Sequence, residues 1–140
     1  MEQQREWTVG TSVLRFEPPN VLRARFRGSF SLEETKRLMD VYREVYGSSG
    51  PFFLVADLSE VTRISEETRH YLSENSEPTW TLGVIYVGAR LVHRAAAKGL
   101  IIAAWLLGRA EKSDLARIHF VSTHAQAQEI LTRLRGATSS

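Results

Sequence analysis

The side chains best able to do chemistry gather in the stretch Pro51–Glu67, PFFLVADLSEVTRISEE, which holds Asp57, Ser59, Ser65, Glu66 and Glu67. A carboxylate at the end of an apolar run can accept protons or hydrogen bonds, and a serine before a helix can cap it or carry a modification. The rest of the chain adds little for catalysis. There is no G-x-S-x-G elbow, no phosphate-binding P-loop and no dinucleotide G-x-G-x-x-G. With no cysteine, disulfides and thiolate zinc sites are excluded. The four histidines do not pair at metal-ligand spacing: His119 reads as a strand residue, His124 sits at a helix start, and His93 has no carboxylate three or four residues away. No metal, cofactor or catalytic set is therefore assigned. An enzyme built from distant residues, such as Asp57 with His70 or Arg90, stands as the third functional reading.

Two further groups carry charge or exposed apolar surface. Arg23, Arg25 and Arg27 share one face of an alternating segment, with Leu22, Ala24 and Phe26 on the other. Such a row can bind an anion or an acidic partner, although charged residues ordinarily face water for no other reason. Residues 89–107 read as a long helix whose outer stripe begins Arg90, Arg94, Lys98 and continues as Ile101 and Trp105. A helix that is apolar all round is normally covered by something. Its cover is either this chain's own loops or a homodimer, a protein partner or a small ligand.

The elements that position these groups follow from periodicity. Phe52–Ala56 is too short for a typical helix, rich in strand formers and apolar throughout, as in a strand buried on both faces. Asp57 is expected to end it, with Ser59–Arg63 as a connection and a helix over Ser65–Asn75. Ser12–Glu17 and Val21–Gly28 read as a hairpin across Pro18-Pro19-Asn20, with Trp7–Val9 as a further short strand. Ser31 and Glu34 form a capping box for a helix carrying Leu32, Thr35, Leu38, Met39, Tyr42 and Val45 on one stripe, stopped at Gly47. Trp80–Gly88 and Ala116–Val121 read as strands. Thr123 and Gln126 cap a last helix with the stripe Ala127, Ile130, Leu131 and Leu134.

This order predicts an α/β fold: a single mixed sheet with an opening antiparallel hairpin, then βαβαβα, with helices covering at least one face. Pattern leaves strand order open. Residues 1–6 are expected to fray, 7–135 to form one domain, and 136–140 to be a disordered tail. A chain of 140 residues has room for one proper core, burying roughly 68–70% of its unfolded surface. The net charge is only +2, and 15 of the 18 basic residues are arginine, so the basic pI is no sign of nucleic-acid binding. The polar start MEQQREW is unlike a signal peptide, and Gly99–Leu107 is too short to span a bilayer. A cytoplasmic location is expected.

The segment Asp57-Leu58-Ser59-Glu60-Val61-Thr62-Arg63-Ile64, between a strand and a helix start, resembles the STAS domains of bacterial anti-sigma-factor antagonists. The element order over roughly residues 7–135 is similar to theirs. The family pattern is Asp-Leu, several mixed residues, an apolar residue, then Asp-Ser-Ser-Gly opening the helix. Asp57 and Ile64 match it. Ser65 replaces the second Asp, Glu66 and Glu67 replace the two serines, and Thr68 replaces the Gly. The resemblance implies a non-enzymatic regulatory domain that binds an anti-sigma, kinase-like or other regulatory protein through Asp57, Ser59, Ser65, Glu66 and Glu67. Because glutamates stand where the phosphorylated serine belongs, the usual phosphoserine switch is expected to be absent, or moved to Ser65 or Ser59. The alternative is a carrier or sensor for a small apolar or anionic ligand beside the 89–107 helix, at Arg90, Arg94, Lys98, Ile101 and Trp105.

Overall fold

The computed structural model describes residues 5–62, 64–89 and 117–138. Six strands, β1 (Arg5–Val9), β2 (Ser12–Glu17), β3 (Val21–Gly28), β4 (Phe52–Val61), β5 (Thr81–Val87) and β6 (Ile118–Val121), form one sheet in sequential order. The β1–β2 and β2–β3 pairs are antiparallel, and β3–β4, β4–β5 and β5–β6 are parallel. Helices α1 (Leu32–Ser49), α2 (Glu66–Asn75) and α3 (His124–Thr138) complete the described elements, with a 3-10 turn at Pro78–Trp80. The expected mixed α/β sheet with its opening hairpin is present, and helices lie on both faces.

The two faces follow from alternation along β4. Phe52, Leu54, Ala56 and Leu58 join Leu14, Phe16, Leu22, Met39 and Val45 in a core under α1, which also takes Tyr71 and Leu72 of α2. Phe53 and Val55 turn the other way and pack with Val21, Ile85, Val87, Val121, Ala127 and Leu131 under α3. The α1 capping box at Ser31 and Glu34 forms as expected. So does the Thr123–Gln126 box of α3, whose Gln126 side chain also accepts the Ser122 N–H. Trp80, inside the 3-10 turn rather than in β5, lies edge-on to Tyr42 and beneath Arg43 of α1.

Several boundaries differ from the sequence reading. β1 begins at Arg5, because the two-residue turn at Gly10 (φ 60°) sends it back along β2 and pairs Arg5 with Phe16. Residues 5 and 6 are therefore strand, not fray. α1 runs through Gly47 to Ser49 and stops at Gly50 (φ 79°), whose N–H bonds the Tyr46 carbonyl at 2.8 Å. Residues 136–138 belong to α3 rather than to a tail. Asp57 does not end its strand. The ladder to β5 stops at Asp57↔Val87, whereas the ladder to β3 continues across a bulge to Arg27↔Glu60 and Gly28↔Val61. Asp57 is thus the last residue of β4 paired on both sides. The expected helix over 89–107 and loop over 108–114 lie, beyond Ala89, outside the described residues.

Phe53 is 1% exposed and Leu54 5%, on opposite faces. Truncating either to alanine should cost about 2–5 kcal/mol. Urea melts read the loss directly; a nearly neutral change in either would contradict a strand buried on both sides.

Candidate functional site

Asp57 is the only charged residue in the buried run of β4, and at 9% exposure its carboxylate needs partners. It has three. Oδ1 accepts the Ser59 hydroxyl at 2.6 Å and the Ser59 backbone N–H at 2.9 Å. Oδ2 lies 2.9 Å from Nε2 of His124, which donates to the ionised carboxylate. Burial alone pushes the Asp57 carboxyl up. The Ser59 hydroxyl and N–H and then His124 outweigh that and hold it below the usual range.

Each partner is placed by backbone geometry. The bulge in β4 turns Ser59 back toward Asp57. Gly88 (φ 70°) closes β5 beside it; a Cβ there would meet the Ser59 Cβ at 3.0 Å, so only glycine allows this approach. The Gly88 N–H bonds the Val121 carbonyl at 2.9 Å, which ties the ends of β5 and β6 together. His124 then follows as the first residue of α3. The result is a hydrogen-bonded latch joining β4, the end of β5 and the start of α3, where parallel sheets commonly place functional residues.

Ser65, Glu66 and Glu67 form a separate group. Ser65 is the N-cap of α2: its hydroxyl accepts the Thr68 N–H at 3.1 Å and donates to Thr68 Oγ1 at 3.0 Å. Thr68 is 2% exposed and reaches the Phe30 carbonyl at 3.3 Å, fastening α2 to the segment before α1. Glu66 and Glu67 are exposed in the first turn, at the positive end of the helix dipole. Ile64, the apolar match, packs against the α1 core. The five site residues therefore divide into a latch facing α3, made of buried Asp57 and exposed Ser59, and an acidic helix start (Ser65, Glu66, Glu67) on the α1 side. His70 pairs with Glu74 at 2.9 Å on α2, whereas the Asp57 carboxylate is bonded by Ser59 and His124. Arg90, Arg94, Lys98, Ile101 and Trp105 lie outside the described residues.

His124 is the site residue that sequence reasoning missed. Asp57 pairs with Val87 and Val87 with Val121, so the end of β6 is level with Asp57 and His124 stands just beyond it. Strand order was the needed signal. Among the described residues, no group of three His, Asp or Glu side chains is placed to hold a metal ion, and no helix is long and apolar enough to cross a membrane.

The sign of the Asp57 shift gives a pH dependence. A carboxyl with a folded pKa below its unfolded value contributes stability that is present above about pH 4 and lost as pH falls through the folded pKa. Asp57→Ala should cost about 1–3 kcal/mol at neutral pH. His124→Ala should cost under about 1 kcal/mol, because its ring is solvated. In urea melts the gap between wild type and Asp57→Ala should close on acidification; a gap independent of pH would remove the charged latch.

No protein-family model matches the sequence, and no curated protein matches it. Among solved structures, the chain is similar to an uncharacterized protein of the DUF3478 family, with a SpoIIAA-like fold, from Shewanella loihica PV-4. The TM-score is 0.57 at 11% identity, covering 91% of this chain and 93% of that one. The chain has a SpoIIAA-like, that is STAS-like, α/β fold.

Proposed function

We propose that this chain is a non-enzymatic regulatory domain that binds a protein partner through the end of β4 and the first turn of α2, without a phosphoserine switch. The observation that carries the reading is the chemistry of that turn. Glu66 and Glu67 present fixed negative charge to solvent, while the neighbouring hydroxyls are occupied: Ser65 caps the helix and Thr68 is buried. A phosphoserine at a helix start would supply about −1.5 to −2 charge on demand. Here two glutamates supply charge permanently, which suits a constitutive contact with a basic surface. The STAS-like architecture agrees with this use, although fold alone does not decide function. Asp57, whose oxygens are engaged by Ser59 and His124 on the α3 side of the sheet, holds the end of β4.

Reversing Glu66 and Glu67 to Lys should weaken partner capture at least about tenfold, ~1.4 kcal/mol, with the helical signal unchanged. Quantitative mass spectrometry of co-purified proteins reads this, with Glu33→Lys on exposed α1 as the control. Identical partner recovery from all three proteins would sink the reading. Kinase treatment followed by phosphopeptide mapping should leave residues 66–68 unmodified. Stoichiometric phosphate on Thr68 would show that the switch exists and that the fixed-charge account is wrong.

A further inference from the structure

The outer face of β1–β3 carries a row of exposed arginines and one exposed valine. α3 covers the sheet from the start of β3, at Val21, across to Val121, and no described helix lies over the remainder of that face. Two cross-strand rows occupy it. Glu6, Arg15 and Arg23 are register partners in one, and Thr8, Val13 and Arg25 in the next. Arg27 and Glu60 extend the surface toward β4.

Arg15, Arg23, Arg25 and Arg27 stand there against Glu6, Glu17 and Glu60, with buried Asp57 the register partner of Arg25 on β4, but the pairing is uneven. Arg23 is spent on Glu17 at 2.8 Å and on Gln128 of α3 at 2.9 Å. Arg25 and Arg27 share the single carboxylate of Glu60, at 3.4 and 2.7 Å. Arg15 is exposed and forms no hydrogen bond or ion pair among the described residues, although Glu6 is its register partner. In the middle stands Val13, 41% exposed, one of two large apolar side chains so placed among the described residues. It has Arg15 two residues along its own strand and Arg25 directly across. An apolar anchor beside two incompletely paired guanidiniums is the reverse image of an extended segment in which an apolar side chain is flanked by carboxylates.

We propose that this face binds such an acidic, extended segment of a protein partner, with its apolar side chain on Val13 and its carboxylates on Arg15 and Arg25. The chemistry disfavours other polyanions. Trp7 and Phe16 point to the opposite face, into the α1 core, so the surface offers no aromatic platform for bases. Glu6, Glu17 and Glu60 are interspersed among the arginines and would repel a continuous phosphate backbone or an anionic membrane. A protein segment can place charges residue by residue to suit. The surface lies on the sheet face opposite the packing of α2, so it is separate from the acidic contact proposed above.

The test uses the full chain and a fluorescein-labelled peptide of alternating Glu and Val. Matched probes are a Lys–Val peptide, single-stranded DNA and phosphatidylserine vesicles. Anisotropy should show binding of the Glu–Val peptide only, with amide shifts in nuclear magnetic resonance confined to β2 and β3. Arg15→Glu and, separately, Val13→Ser should each weaken it by about tenfold; both positions are exposed, and a thermal melt confirms folding. Glu66→Lys with Glu67→Lys should leave this binding intact even if it abolishes the other contact. No binding of the acidic peptide, shifts centred elsewhere, or equal Arg15-dependent binding to DNA or vesicles would overturn the proposal.

Discussion

β4 holds the molecule together because it is buried twice over. Its neighbours on both sides are strands, and helices lie above and below. Phe52 and Leu54 fill the α1 core while Phe53 and Val55 fill the α3 core. Each such side chain contributes roughly 1.5–3 kcal/mol on leaving water. Neither layer can be displaced without opening the other's wall, so the two cores are coupled through one backbone. The sequential strand order has the same consequence for the chain path: each parallel strand is laid beside the one before it, and β3, paired antiparallel to β2 and parallel to β4, is where the antiparallel half changes to the parallel half.

That burial explains why Asp57 is held as it is. A carboxylate in a fully paired strand cannot turn out to solvent, so its charge has to be met by groups brought to it. The bulge supplies Ser59, a glycine at position 88 makes room, and the last helix begins with His124. The polar contact adds a tie between the first residue of α3, whose start is set by the Thr123–Gln126 box, and the sheet, while Ala127 and Leu131 pack beneath the helix. Apolar packing alone is non-directional and would tolerate a sliding helix. A directional bond at the first residue favours one position by a modest amount.

How much of this was legible in the sequence depended on how local each signal was. Capping boxes at Ser31 and Thr123 could be read because both partners lie within one helical turn. The β4 core was readable because a run such as FFLVA has no exposed face to offer. Errors fell where a local signal met a longer ladder. Asp57 looked like a strand end because polarity changes there, yet the β3 pairing carries the strand on to Val61. Gly47 looked like a stop, but a helix interior tolerates a glycine at about 1 kcal/mol, and Gly50 was the residue with the required backbone angle. His124 was illegible for a different reason: its partner lies far away in the chain, and only the register across β4, β5 and β6 brings them level.

The formal net charge of +2 is an average that conceals this molecule's electrostatics. Exposed charges separated by more than a Debye length, about 8–10 Å at physiological salt, act almost independently. The arginines of β2 and β3 and the glutamates opening α2 belong to opposite sides of the sheet, since α2 packs into the α1 core. A chain of near-neutral total charge can in this way carry an unevenly paired arginine row on one face and an acidic helix start on the other. The small net charge that argues against nucleic acid as a whole-molecule ligand is no argument against two local and opposite contacts.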